Sequence, residues 1–450
     1  MRRVAAVTAA TACLLVVPLP ALAHGIGGRK DLPVPLEFFL VGAAVVLLVS
    51  FGALAVLWPA PRLQAGPRFR GQGKKVPALL ARAAAGFGLA FFVLVVASGL
   101  FGDAEARGNI APVAVWVLFW LVIPFASVVV GNVWSMFSPW RTTARVLPLE
   151  GPAGAGPLGV WPAAVGFLAF AWMELVSGRS AEPRMIGIAA VGYFAYVVVV
   201  AFRVGADRAV ASFDTFAVYN RLVSSVSPFG RRPDGLVGRR GWLRALPVLP
   251  QWPGLVAFVI TMIGTVTFDG LASTPWWDSV SFSLVGSAQR AIWFRTLSLL
   301  AAVAAVGLAY LAASWSAARI ARMPGMGTLE VARSFAHTLV PIAIAYAVAH
   351  YFTLIVFEGQ AIVPALSDPL GLGWNLFGTV DFKSNYTWLA PRVVWWVQLA
   401  AIVGGHLVGV VLAHDRALAV FPPDRAVRTQ YAMLALMVAF TTLGLTILAV

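Results

Sequence analysis

Ten uninterrupted apolar stretches, at 36–58, 78–101, 111–131, 157–177, 184–204, 253–272, 291–313, 331–356, 393–414 and 431–450, dominate this chain. A hydrocarbon core about 30 Å thick takes roughly 20 helical residues to cross. Inside it the backbone must satisfy its own hydrogen bonds, so continuous apolar runs of this length become helices. The fold class expected is therefore all-α, a polytopic transmembrane helix bundle of about ten helices. With 60% hydrophobic and 11% charged residues, the chain lies far from soluble domains, where about a quarter of residues are charged. The formal charge of +15 is carried in short connections between apolar runs. This distribution points to membrane topology and away from nucleic acid.

Residues 1–23 have a basic start at Arg2 and Arg3, a short apolar run, and Ala21-Leu22-Ala23. That is the pattern of a cleaved signal peptide. Cleavage there makes His24 the first residue of a mature chain, 24–450, that forms one transmembrane domain. It also removes Cys13, the single cysteine, and with it any disulfide, thiolate zinc site or iron–sulfur cluster. An exported N-terminus assigns 59–77, 132–156, 205–252, 314–330 and 415–430 to the cytoplasm. Those connections hold nineteen Lys and Arg against seven on the other side, which agrees with the positive-inside rule. The protein is thus expected in the plasma membrane, with both mature termini extracytoplasmic. Within 205–252, the stretch FDTFAVYNRLVSSVSPFGRR is expected to lie as an interfacial helix.

Ionisable groups at membrane depth are costly and mark candidate sites. His337 and His350 fall on one span, His406 and His414 on another. Counting about 1.5 Å per residue from the ends of the apolar runs puts His337 and His406 at one depth, His350 near the outer surface and His414 near the inner one. Pro341 stands four residues after His337, where its ring frees the His337 carbonyl. Gly405 and Gly409 flank His406 as a small-xxx-small pattern that admits a neighbouring helix. The candidate metal ligands are His337, His406, His350 and His24, whose amine and imidazole together would chelate copper. Imidazole suits copper, zinc, iron and nickel. Haem fits less well, because the spacing of thirteen turns His350 about 140° away from His337 and the other pair is spaced by eight. Glu174 and Asp269 are the most deeply embedded carboxylates and the candidates for carrying a proton or ligating a cation.

No nucleophile elbow, H-E-x-x-H helix or Walker loop is present. The segments AHGIGGRKDLPVP, GNVWSMFSPWR, SFAHTLVPIAIAYAVAHYF and GGHLVGVVLAHDRAL resemble a family of bacterial, chiefly actinobacterial, multi-pass membrane proteins labelled fenitrothion hydrolase. The resemblance covers nearly the whole chain and implies an organophosphate-ester hydrolase, with no residue roles attached. A looser similarity is to copper-resistance membrane proteins of the D type. Two functions are therefore expected: metal handling or transport of a copper type at an intramembrane histidine site, or membrane-bound hydrolysis of phosphotriester-like substrates. The partners expected are the lipid bilayer and a metal ion or small molecule.

Overall fold

Proline opens several of the long helices, since its locked φ and missing N–H suit a first turn. Pro183 and Pro391 are first-turn residues, while Pro35 and Pro77 stand just before theirs. The computed structural model describes residues 34–147, 151, 154–284 and 288–449, so the expected signal segment and His24 lie outside the described residues. In chain order the helices are α1 Leu36–Leu57, α2 Ala78–Phe101, α3 Ile110–Val130, α4 Pro139–Val146, α5 Trp161–Leu175, α6 Pro183–Val204, α7 Thr215–Ser224, α8 Leu255–Ala272, α9 Gln289–Ala321, α10 Thr328–Val356, α11 Pro391–Val420 and α12 Arg428–Leu448. Among the described residues nine of these are long and apolar enough to cross a membrane, so the chain is an integral, multi-pass, all-α protein. The span expected at 157–177 is a shorter helix, α5, of 15 residues. It is about 22 Å long, less than a full crossing.

The bundle has a centre and a rim. In their most apolar windows α8 and α10 are 67% and 56% buried, whereas α1, α2, α6 and α9 are each 22% buried. The rim helices turn the rest of their apolar surface outward, as a lipid solvent allows. The basic connections gather on one face. There β1 (Phe69–Lys74) pairs with β3 (Val237–Arg240), which also pairs antiparallel with β2 (Phe229–Arg231), giving the order β1-β3-β2. Phe69 lies opposite Arg240, and Phe229 opposite Arg239.

Two connections on this basic face fold back into the bundle. Gly131 and Gly205 end α3 and α6 with φ of 94° and 85°, a left-handed turn that reverses the chain at little cost for glycine. Beyond Gly131, Trp134, Ser138 and Trp140 are all buried. Beyond Gly205 the chain reaches Asp214 and then α7, whose Phe216, Tyr219, Asn220 and Leu222 are buried as well. The interfacial helix expected within 205–252 is therefore instead an interior one, packed against α3, α5 and α10. Its aromatic residues are covered by protein: Phe216 meets Phe119, Phe170 and Tyr193 at ring-centroid distances of 4.5, 5.1 and 5.1 Å. Asp214 joins the two inserted segments. Its carboxylate caps α7 by accepting from the Phe216 and Ala217 amides, and also accepts from Tyr193 Oη and Trp140 Nε1.

Helices α10 and α11 approach each other closely. A Cβ on Gly405 would come within 2.1 Å of Ala345 Cβ, and one on Gly409 within 2.8 Å of Ile342 Cδ1. The small-xxx-small reading thus locates the contact. His337 sits in a 3₁₀ turn, Ala336–Leu339, where its carbonyl accepts the Val340 amide. The proline displaces the α-helical bond, and the tighter turn supplies another partner for the carbonyl expected to be free.

At the basic end of α11, Asp415 is fully buried and accepts from Trp58 Nε1 at 3.0 Å, Gln64 Nε2 at 2.8 Å and the amides of Arg62 and Leu63. His414 beside it has Nδ1 3.1 Å from Gln430 Oε1 and Nε2 3.1 Å from Trp58 O. It is 1% exposed and ties α1 to α11 and α12, which differs from the surface position expected for it. The apolar run stops at residue 414, but the helix continues to Val420.

Two stability measurements follow from this packing. Gly405→Ala should cost about 1–3 kcal/mol through overpacking, while Gly404→Ala, whose Cβ meets nothing within 4 Å, should leave the thermal midpoint unchanged. Asp415→Ala strands several buried donors and should cost about 3 kcal/mol. Thermal unfolding of the detergent-purified protein checks both, and equal midpoints for the two glycine variants would contradict the α10–α11 contact.

Candidate functional site

Asp269 lies near the end of α8 away from the basic face, at the centre of the bundle. Successive residues of α10 converge on one of its oxygens. His350 Nε2 is 2.9 Å from Asp269 Oδ2, and Tyr351 Oη donates to the same atom at 2.8 Å. Neighbours on a helix diverge by about 100°, so one acceptor receives both only by standing between their side chains. The two rings meet edge to face at 4.7 Å. Gly270 leaves room beside them, since a Cβ there would already be 2.7 Å from Ile447 Cγ2 and 3.7 Å from both His350 Nδ1 and Tyr346 Oη.

This group is largely withdrawn from the surface: the side chains of His350 and Asp269 are 16% and 23% exposed, and Tyr351 is buried. Glu174, from the end of α5, lies within electrostatic reach of Asp269, Tyr351 and Tyr219. Trp120 stands beside Tyr351 and stacks on Tyr219 at 5.3 Å. It belongs to a π-helical stretch of α3, Ala114–Val122, a widened turn that is frequent at functional sites. Two of the candidates named from the sequence, Asp269 and His350, therefore meet, while Glu174 makes no direct contact with them. Tyr351 completes the group, and the stacked rings of Trp120 and Tyr219 stand beside it. Reasoning from charge alone misses them, although the His350-Tyr351 dipeptide was visible.

The chemistry available is proton exchange and cation binding. When an imidazole donates Nε2–H to a carboxylate, its Nδ1 lone pair is left to take a proton or a ligand. The Tyr351 hydroxyl holds the carboxylate in place and offers a third proton-bearing group.

The other histidines are arranged differently. His337 and His406 are both buried, and the Nε2 of each has no hydrogen-bond partner. His406 Nδ1 donates to Ile402 O at 2.9 Å. The pair does not share a depth. Gly405 faces the Pro341 carbonyl and Gly409 the Thr338 carbonyl, while Arg416 Nε bonds Ser334 Oγ. His337 accordingly lies between the levels of Gly409 and Arg416, and His406 between those of Pro341 and Ala345. They are offset by at least about one turn, roughly 5 Å. Counting depth from the ends of apolar runs erred because α11 continues beyond its apolar run. Among the described residues no three His, Cys, Asp or Glu side chains come together as a metal-holding group. No protein-family model, curated protein or solved structure matches this chain.

Proposed function

We propose that the protein is a plasma-membrane carrier that handles a cation at Asp269 and His350, with the proton as the species this group itself takes up and releases. One observation supports the reading: a carboxylate, an imidazole and a phenol share a single oxygen inside a membrane-spanning bundle, with a second carboxylate, Glu174, in their field. Buried ionisable groups of this kind mark proton relays and ion paths. Protonated, His350 and Asp269 form an ion pair. Deprotonated, they offer a carboxylate oxygen and an imidazole nitrogen, two donors suited to a transition metal such as copper. A metal ion bound there would therefore compete with protons, and its remaining ligands would come from solvent or solute.

The alternative, an organophosphate-ester hydrolase, rests on the family resemblance. In it His350, oriented by Asp269, would act as the general base toward water, the pairing by which a carboxylate holds an imidazole for proton abstraction.

Titrating unbuffered purified protein with Cu²⁺ while recording pH should release about one proton per ion bound. Asp269→Asn and His350→Gln should each abolish that release, and the double variant should be no worse, since groups acting as one unit are not additive. Unchanged release in both single variants would refute the site. A chromogenic phosphotriester assayed on the same preparations separates the alternative: nitrophenolate formation that is lost with His350→Gln would establish hydrolysis instead.

The orientation has its own test. Reporters fused after Gly71 and Arg240 should register as cytoplasmic and one at Gly371 as external. The reverse pattern would invert the proposed topology.

A further inference from the structure

A second feature is independent of the carrier reading: a cavity of about 800 Å³ enclosed by α2, α3, α5 and α6, within the ~300–1,000 Å³ usual for small-molecule sites. Its lining runs from Ala114 to Ile123 on α3 and from Ile186 to Tyr196 on α6, a height of about 15 Å. Ile186 is within a turn of the α6 end away from the basic face, so the chamber occupies that half of the bundle. Its floor near mid-bilayer is built from the inserted segments, through Trp134 and Trp140. Its roof is the short helix Ile362–Ser367, which contributes Ile362 and Leu366. Two lining residues, Phe87 and Val165, are 62% and 64% exposed on lipid-facing helices, which makes the side of the chamber an entrance from the bilayer.

The polar groups in this chamber define its occupant. Tyr193 and Trp140 line it, but their hydroxyl and indole N–H are engaged by Asp214, and Tyr196, also in the lining, is 40% exposed and so stands at its rim. Trp134 also lines it, is 5% exposed, and its Nε1 has no hydrogen-bond partner. A buried donor without a partner is uncommon in proteins and calls for an acceptor. The lining contains no charged side chain, so a charged ligand would be stranded in a medium that solvates it poorly. A phospholipid headgroup is excluded from the floor for the same reason, because the free donor sits near mid-bilayer rather than at the interface.

We infer that this chamber binds a neutral, lipid-soluble carbonyl compound that enters sideways from the bilayer, its oxygen accepting the Trp134 Nε1–H. Benzophenone is a suitable probe, being a neutral aromatic ketone that inserts into nearby C–H bonds on illumination. Diphenylmethane has nearly the same shape without the oxygen. Photolabelling of the purified full-length protein in lipid nanodiscs should saturate, and peptide mass spectrometry should place the label on chamber-lining segments of α2, α5 and α6.

Unlabelled benzophenone should compete better than diphenylmethane by roughly three- to tenfold, the ratio for one net hydrogen bond. Trp134→Phe keeps the ring, removes the donor and should erase that preference. Gly192 lines the chamber, and a Cβ there meets nothing within 4 Å, so Gly192→Phe should fill it and cut chamber labelling by about tenfold, the effect of losing ~1.4 kcal/mol. Trp134→Phe carries the test alone if the filled variant fails to fold. Unsaturable label scattered over the lipid-facing surface would mean adventitious partitioning only and overturn the site. Saturable chamber labelling with an undiminished ketone preference in Trp134→Phe would overturn the carbonyl assignment.

Discussion

Water is absent from the bilayer core, so every backbone N–H and C=O at that depth must find its partner within the protein. Much of this architecture follows from that constraint. The rim helices meet it alone and can face lipid. The two inserted segments, around Trp134–Trp140 and Ala206–Ser224, cannot, because their chain bends and changes helical pitch. They persist where surrounding helices cover them and where Asp214 supplies acceptors. One carboxylate closes the start of α7, accepts the Trp140 indole and holds the Tyr193 hydroxyl. Removing it would leave the buried Trp140 indole, the part-buried Tyr193 hydroxyl and two capped amides without a charged acceptor at once.

The inserted segments also organise the space around them, raising through Trp134 and Trp140 a floor to the cavity in one half of the bundle. The same segments bring Phe216 and Tyr219 against Phe119, Trp120 and Phe170. That aromatic layer stands between the apolar chamber and the polar group at Asp269. Phe170 belongs to both sides, lining the chamber while packing on Trp120 at 4.9 Å. The molecule thus keeps the apolar chamber and the Asp269 group side by side, separated by a wall of rings.

Asp269 illustrates how a central helix accommodates a carboxylate. α8 is the most enclosed span, and a carboxylate on it is tolerable only when donors reach it. His350 and Tyr351 provide them from one turn of α10, and the close α10–α11 contact at Gly405 and Gly409 holds that helix in place. His337 and His406 lie in the same interface, where their rings are enclosed by apolar packing and their remaining nitrogens are unpartnered.

The amino-acid sequence by itself determined the membrane as solvent, the approximate limits of nine of the ten expected spans, the gathering of basic connections on one face, and the contact at Gly405 and Gly409. These follow from hydrophobicity and residue size, which each residue carries irrespective of its neighbours. It also singled out Asp269, His350 and Glu174 as ionisable groups at depth. The meeting of Asp269 with His350, the offset between His337 and His406, the burial of His414 and the inward path of α7 were decided only by tertiary structure. The physical reason is that depth and partnership are relational. An Arg- and aromatic-containing stretch such as Thr215–Ser224 has the composition of a surface helix, and only the neighbours that surround it make it an interior one. Likewise, a helix that outruns its apolar segment, as α11 does, shifts the level of every residue counted from that segment's end.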